Sequence, residues 1–405
     1  MFDFTLNEEQ RALQTLVREF VEREVKPRVA TLDAEPDPMK AIPWDIIKAA
    51  NNVGLRHLSL KKELGGGGQD SLTLGMCVEE LAVGDIGVSV IFAQHWKFVQ
   101  MLQEQGTPEQ QRQFLLPLRD DPLGLMAVGI KEPESGSDHF VPCLDPKGGP
   151  KMACVRDGDH VILNGTKEFI SNGAIAHLYI IFARSNREVS LVDGMSAFIV
   201  PRDLPGVKNY PGFTIGRVYD KIGERLAGNA ELIFENCRVP MANMVWQWNT
   251  AMQNVARVLR QSNAYAGAST LGVGWAAFEK ALEYAKVRIQ GAVPIIQHAN
   301  IAIKLADMYT QLKAAQLLVR KGCWQADRPE HFDPMLARSV KVFCSEVSMK
   351  AALEGLQIHG GNGAMKDVGA EKLVRDAVMF LHSDGCNDSL NRGTGDLLAR
   401  LPYTR

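Results

Sequence analysis

The sequence lacks the features that would mark a membrane, secreted or nucleic-acid-binding protein. No run approaches the roughly 18–20 apolar residues that span a bilayer, so no membrane segment is predicted. The start, MFDFTLNEEQRAL, has no basic stretch followed by an apolar one, and we expect no signal peptide. The 45 basic residues are balanced by 47 acidic ones without a long basic run, so no nucleic-acid partner is expected.

Cysteine is present without a pattern. The seven cysteines are scattered, none forms a CxxC pair, and their number is odd. This usage is typical of reduced thiols in a cytoplasmic protein, and it predicts neither a disulfide framework nor a metal site. The 405 residues, 46% hydrophobic and 23% charged, favour a soluble protein of two or three domains.

Hydrophobic patterning divides the chain into three parts. Residues 1–122 are predicted to be helical, with capping-box spacing at Thr5 and Glu8 before an apolar stripe. Residues 123–240 contain short β-rich pieces between turn signals, typical of a small antiparallel barrel or sandwich. Residues 241–405 return to long helices, the first rich in small residues that allow close helix approach. The order predicts an α+β multidomain fold with a helical domain, a β-domain and a four-helix bundle.

One turn in the middle part has the chemistry of an anion site. In GIKEPESGSD, Pro133 and Gly136 force a turn, and Ser135, Ser137 and free backbone N–H groups are suited to surround a pyrophosphate. A well-capped surface turn explains these residues equally well.

Three further motifs are ambiguous on their own. Phe169 and Ser171 lie two apart on a predicted strand and face one side, which suits the edge of a flavin-like ring but also a half-buried hairpin. The two glycines of LQIHGG allow close approach to a ligand or end a helix. Asp384, in FLHSDGCNDSL, is either a helix-end residue or a base that removes a proton.

Taken together and in order, these stretches resemble the acyl-CoA dehydrogenase flavoproteins over nearly the whole chain. The family pattern TEPxAGSD is similar to residues 131–138, GxKxWITNG to 165–173, KxGxRxSxxxxxxFExVxVP to 221–240 and QxxGGxGY to 357–364, and RxxFGxPIxxxQxxxxxLADM begins at Arg288. The resemblance implies the three-domain fold, FAD as cofactor, an acyl-CoA substrate, an electron-transferring flavoprotein as electron acceptor, and a homo-oligomer, normally a tetramer.

The resemblance also implies roles for individual residues. For the cofactor these are Ile130 and Lys131 at the pyrimidine edge, Gly136 and Ser137 at the pyrophosphate, Phe169 against the ring, Ser171 near N5, Arg288, Gln357, Gly360 and Gly361 at the adenosine diphosphate half, and Cys386 and Asp388 after the base. For the acyl group they are Val88, Val90, Phe92 and Ala93 as an apolar wall, with His95, and also Lys97, available to a polar or carboxylated tail.

The implied reaction is α,β-dehydrogenation of an acyl-CoA, in which a carboxylate removes the α-proton while the β-hydrogen leaves as hydride to flavin N5. The commonest base in the family is a glutamate, and its position counted from Gln357 is Asp384 here. The position used by other relatives carries Ser262 and Asn263, which are not bases. Aspartate is shorter by one methylene, roughly 1.5 Å, so we expect a bulky, cyclic or otherwise unusual acyl group.

Two alternatives remain open at this point. One is a flavin oxidase of the nitroalkane oxidase or acyl-CoA oxidase type. The other is a family member used for binding or assembly, because Gly291, Ala292 and Ala299 replace family residues at the adenine end.

Overall fold

Helices occupy both ends of the chain and a sheet lies between them in the computed structural model, which describes residues 5–138 and 145–400 without the side chains of residues 256–259. The N-terminal helices are α1 (Glu8–Phe20), α2 (Lys26–Ala34), α3 (Trp44–Asn52), α4 (Ser71–Gly84), α5 (Ile86–Gln105), α6 (Pro108–Gln110) and α7 (Leu116–Asp120). The strands of the sheet are β1 (Met126–Gly129), β2 (Ala153–Asp157), β3 (His160–Ile170), β4 (Leu178–Arg184), β5 (Met195–Pro201), β6 (Phe213–Val218), β7 (Ala230–Pro240) and β8 (Met244–Val245). The C-terminal elements are α8 (Ala251–Val287), the short pair β9 (Ile289–Gln290) and β10 (Val293–Pro294), α9 (Ala299–Ala326), α10 (Pro334–Ile358), α11 (Ala370–Met379) and α12 (Asn387–Arg400).

The capping box of α1 forms two residues later than the sequence spacing indicated. Asn7 accepts a hydrogen bond from the Gln10 backbone N–H at 2.8 Å, and the Gln10 side chain accepts one from the Asn7 backbone N–H at 3.2 Å. Thr5 and Glu8 therefore do not form the box, because asparagine occupies the cap and Glu8 is already inside the first turn.

The N-terminal helices and the bundle share one hydrophobic core. Apolar side chains of α1, α4 and α5 pack with those of α8, α9 and α10 in a continuous cluster. Small residues allow this, as predicted: a Cβ on Gly272 of α8 would lie 2.3 Å from the Glu79 carbonyl oxygen of α4, and one on Gly274 would lie 2.6 Å from Leu312 of α9. These close contacts fix α8 against α4 of the N-terminal part and against α9 of the bundle.

The sheet is mixed, whereas the sequence predicted an antiparallel barrel or sandwich. Its order is β6-β7-β3-β2-β4-β5-β8, and β1 pairs with β4. The parallel pairings are those of β1 and β2 with β4. The other pairings in this sheet are antiparallel.

Helix α5 lies between the sheet and the bundle. Its Phe92 and Trp96 are in the core shared with the bundle, while Phe98 and Leu102 pack with β4 and β5 in a second cluster. Residues 86–103 of α5 are buried on every side. The helix is therefore a wall common to all three parts of the chain. Within the residues described, no helix is long and apolar enough to cross a membrane.

Candidate active site

A cavity of about 430 Å³ lies where the three parts of the chain meet. Its walls come from α5, the ends of β1 and β3, the segment after β6, the start of α8 and the segment after α11. Its apolar lining includes Val90, Phe98, Met101, Val128 and Phe182. Such a mainly apolar pocket with a few converging polar groups is typical of a small-molecule site.

Asp384 brings a carboxylate into this cavity. After α11 ends, the chain turns through Asp384 (φ 48°) and Gly385 (φ 99°), both left-handed, before α12 begins. The two carboxylate oxygens lie 3.4 and 3.5 Å from the Gln94 side-chain nitrogen, and one of them lies 3.6 Å from the Lys97 ammonium. The side chain therefore faces α5 across the cavity, which favours the chemical explanation of this residue over the helix-end one.

A buried lysine of α10 fixes the segment that carries Asp384. Lys341 donates hydrogen bonds to the Gly385 carbonyl at 2.6 Å and to the Asn387 side-chain oxygen at 2.7 Å. Asn387 in turn donates to Ser345 of α10 at 3.0 Å. Burial lowers the pKa of Lys341 to about 8, because both oxygen atoms that it contacts are neutral.

Lys97 lies between the two positions at which the family carries a base. Its ammonium donates to the Ser262 hydroxyl at 2.9 Å and lies 3.6 Å from Asp384. Burial lowers the pKa of Lys97, and the Asp384 carboxylate acts in the opposite direction. From the sequence we expected Lys97 only at the end of an acyl tail, so its place beside the candidate base is new.

Four of the predicted cofactor residues line the cavity: Ile130, Lys131, Phe169 and Ser171. Phe169 is 56% exposed with φ 56°, and its ring centroid lies 4.7 Å from that of Tyr219. Strand β3 bulges between Lys167 and Ile170, so simple alternation does not put Phe169 and Ser171 together. An exposed aromatic beside the Ser171 hydroxyl fits a planar ring system such as that of FAD.

The predicted anion turn is closed by its own hydrogen bonds. The backbones of Glu132 and Ser135 exchange hydrogen bonds at 3.0 and 3.1 Å, and the Ser135 hydroxyl donates to Asp138 at 2.8 Å. Ser135 is therefore engaged within the turn. Gly136 follows the turn at an exposed position, where an added Cβ would meet no atom within 4 Å, and Ser137 comes next, half-buried.

The other predicted cofactor residues lie outside the cavity lining. Arg288, Gln357, Gly360 and Gly361 are exposed where α8 and α10 end. These two ends meet, since Tyr284 stacks on His359 at 4.4 Å between ring centroids and accepts a hydrogen bond from Asn362 at 3.0 Å. Cys386 is half-buried and Asp388 is exposed in the first turn of α12.

The acyl wall differs from the predicted one. Of the five predicted residues, Val90 lines the cavity, while Val88, Phe92 and Ala93 lie in the core shared with the bundle. His95 lies instead beside Arg56 and His57, where burial holds its pKa well below the usual range. The cavity face of α5 is Val90, Gln94, Lys97, Phe98 and Met101. This stripe has the 3.6-residue period of one helix face.

A buried ion pair on the wall formed after β6 was missed from the sequence. Lys221 and Glu224 both line the cavity, with 3.3 Å between ammonium and carboxylate, and Lys221 also donates to Asn229 at 2.7 Å. Asn229 donates to the Ser171 hydroxyl at 3.3 Å. Burial raises the pKa of Glu224, and Lys221 opposes the shift. Nothing in the local sequence indicates that this glutamate is buried.

Comparisons with known proteins give matches along almost the whole chain. The family models described as acyl-CoA dehydrogenase N-terminal domain, middle domain and C-terminal domain match residues 7–120, 127–237 and 248–393. The chain is 33% identical over 390 residues to the short-chain specific acyl-CoA dehydrogenase of Clostridium acetobutylicum, covering 95% of this chain and 97% of that one. It is 29% identical over 393 residues to the cyclohex-1-ene-1-carbonyl-CoA dehydrogenase of Geobacter metallireducens, covering 97% and 98%.

A solved structure gives the same result for the fold. The butyryl-CoA dehydrogenase of Megasphaera elsdenii superposes with a TM-score of 0.89 at 30% identity, covering 98% of this chain and 100% of that one. The three-part fold expected from the sequence is thereby confirmed. With family models along almost its whole length and relatives above 30% identity, the chain belongs to the acyl-CoA dehydrogenase family.

Proposed function

We propose that the protein catalyses the FAD-dependent α,β-dehydrogenation of an acyl-CoA thioester with Asp384 as the base. That it is an acyl-CoA dehydrogenase with FAD as cofactor follows from its family. The observation that carries the role of Asp384 is its carboxylate in a mainly apolar cavity that Phe169 and Ser171 also line. A carboxylate held away from water beside the reacting carbon is suited to remove a weakly acidic α-proton.

The residues around the cavity have different roles in the proposed reaction. Bound FAD supplies the acceptor for the hydride that leaves the β-carbon, and Ile130, Lys131, Phe169 and Ser171 would hold its ring. Asp384 accepts the α-proton on a carboxylate oxygen. The apolar side chains of α5 exclude water, which strengthens every electrostatic interaction in the cavity.

We propose a bulky or cyclic acyl group as the substrate. The aspartate is one methylene shorter than the usual glutamate, and Lys341 and Lys97 hold it in place. Misplacement of about 1 Å can cost a hundredfold in rate, so the substrate must bring its α-carbon to the base. The similarity to a dehydrogenase named for a cyclohexene carbonyl-CoA supports this proposal.

A panel of straight, branched, alicyclic, aryl and dicarboxylic acyl-CoA thioesters tests the substrate class. Each is mixed with the enzyme without oxygen, and bleaching of the flavin is followed in a stopped-flow spectrometer. Fastest bleaching by a straight-chain substrate would contradict the proposal. Hydrogen peroxide formed in air without another acceptor would favour the oxidase alternative.

Asp384→Asn tests the base directly. The variant should bind FAD and acyl-CoA, because the side chain keeps its size, while flavin reduction slows by about 10²–10⁴. Asp367→Asn is the matched control, since Asp367 is exposed and lies outside the cavity. Full reductive activity of Asp384→Asn would remove Asp384 from the mechanism.

We further propose that an electron-transferring flavoprotein reoxidises the enzyme, that it works in the cytoplasm, and that it assembles as a tetramer. The family resemblance supports the acceptor and the assembly. The exposed residues Arg288, Gln357, Gly360 and Gly361 also support assembly, because they would contact the adenosine end of FAD from a neighbouring subunit.

A further inference from the structure

We infer that Lys97 is a positioning residue for the reaction: from α5 it holds the Asp384 carboxylate in place at the cavity wall. The inference rests on the proposed role of Asp384 as the base.

The geometry places one ammonium between two oxygen-bearing side chains. Lys97 is 5% exposed at its side chain, donates to Ser262 at 2.9 Å and lies 3.6 Å from Asp384. Gln94, one turn earlier on the same face of α5, points its side-chain nitrogen at both carboxylate oxygens. Two donors on a fully buried helix thus converge on a carboxylate that is carried by a loop.

The burial of Lys97 makes a nearby carboxylate favourable for its ammonium. An ammonium taken out of water is costly unless a charge or hydrogen-bond acceptors compensate it. Asp384 is the carboxylate within salt-bridge distance of Lys97 in the described part of the chain. Apolar Val90, Phe98 and Met101 line the same wall, so the positive charge of Lys97 is directed to Asp384.

Ser262 makes the pairing selective. It occupies the place where other relatives carry the base, and a carboxylate there would compete for the same ammonium. A serine hydroxyl accepts a hydrogen bond but has no charge, so Lys97 is held in position while its electrostatic pull acts on Asp384. Ser262 and Asp384 therefore hold the same ammonium from two sides.

Other charged groups surround the pair. Lys131 lines the same cavity as Lys97, Cys386 follows Asp384 on the same loop, Lys341 binds that loop from α10, and Glu224 with Lys221 lies on the wall formed after β6. Lys341 is bound to backbone and amide oxygens, and Lys221 is paired with Glu224. Neither replaces Lys97 as the partner of Asp384.

Lys97→Met is the test, with flavin reduction measured under anaerobic conditions over a range of acyl-CoA concentrations. If Lys97 positions Asp384, kcat should fall by about a hundredfold with little change in KM, because the carboxylate is misplaced relative to the α-proton. The isotope effect with α-deuterated acyl-CoA should rise, because proton removal becomes slower. Lys97→Arg should restore part of the rate, and Lys321→Met removes an exposed lysine as a matched control.

A double variant separates positioning from a structural role. In the Asp384→Asn background, Lys97→Met should cause no further loss if Lys97 acts only through Asp384. If Lys97→Met does not hold flavin, Lys97→Gln takes its place in both measurements.

Three outcomes would overturn the inference: an unchanged kcat, a rise in KM without a fall in kcat, or equal losses from Lys97→Met with and without Asp384. The proposed function fails separately. A fully active Asp384→Asn removes the base itself, whereas an inactive Asp384→Asn with a normal Lys97→Met removes only the positioning role.

Discussion

The buried pair of Lys167 and Glu132 ties together the two segments that carry the predicted flavin contacts. Lys167, near the end of β3, donates to Glu132 at 2.6 Å and to the Ile130 carbonyl at 3.2 Å. Its side chain is 0% exposed. One ammonium thereby links Ile130 to the end of β3, where Phe169 and Ser171 follow. Replacing it with methionine removes the link at nearly constant volume.

The loss can be sized from the structure. Breaking a buried pair by removing one partner costs about 3–5 kcal/mol. Glu132 keeps two backbone donors, Lys151 at 2.6 Å and Met152 at 3.0 Å. We therefore expect Lys167→Met to lower the free energy of unfolding by about 3 kcal/mol, the low end of that range. At about 2–4 °C per kcal/mol, the Tm falls by roughly 6–12 °C, and FAD binds more weakly.

Melting followed by circular dichroism and by flavin fluorescence checks this expectation. Lys151→Met is the control: its pair with Glu134, at 3.3 Å, is exposed on both sides, and such pairs contribute little. Adding Glu132→Gln to Lys167→Met should recover part of the Tm, because the uncompensated buried charge is gone. An unchanged Tm and flavin affinity in Lys167→Met would refute the argument.

Two further predictions concern the frame of the cavity. Gly223→Ala should overpack the wall formed after β6, because the new Cβ would lie 2.1 Å from the Arg375 carbonyl oxygen. Overpacking typically lowers the free energy of unfolding by about 1–3 kcal/mol, so the Tm should fall and flavin binding should weaken. Gly395→Ala, whose Cβ would meet nothing within 4 Å, is the control. Lys341 has its pKa lowered from 10.5 to about 8, so between these pH values the unfolded chain binds the proton and the folded chain does not, and folding becomes more favourable as pH rises. Lys341→Met has no lysine at this position to titrate. The difference in Tm between the wild type and Lys341→Met should therefore grow from pH 8 to 10.5. A difference that shrinks over this range in thermal melts would contradict the lowered pKa of Lys341.

The sequence predicted what local pattern and ordered motifs can specify. Strands such as LYIIFAR and the small-residue face of α8 were recognisable because period and residue size are local properties. Asp384 was identified by its distance from the glycine motif. The place of Lys97 was not, because its contacts to Asp384 and Ser262 span 287 and 165 residues of sequence.

The residues that line the cavity on α5 also could not be predicted from local sequence. Choosing the lining residues required knowing which face of α5 meets the cavity. Residues 86–103 of α5 are buried on every side, so burial does not distinguish that face. Only the tertiary packing separates Val90 from its neighbours.

Each of the three segments matched by the family models contributes residues to the cavity. The N-terminal segment supplies Lys97, the middle segment supplies Phe169 and Ser171, and the C-terminal segment supplies Asp384 and Ser262. A hybrid that exchanged only the N-terminal or only the C-terminal segment with a relative would separate Lys97 from the Asp384 that it contacts. Exchange of these segments is therefore constrained by the chemistry of the cavity as much as by packing.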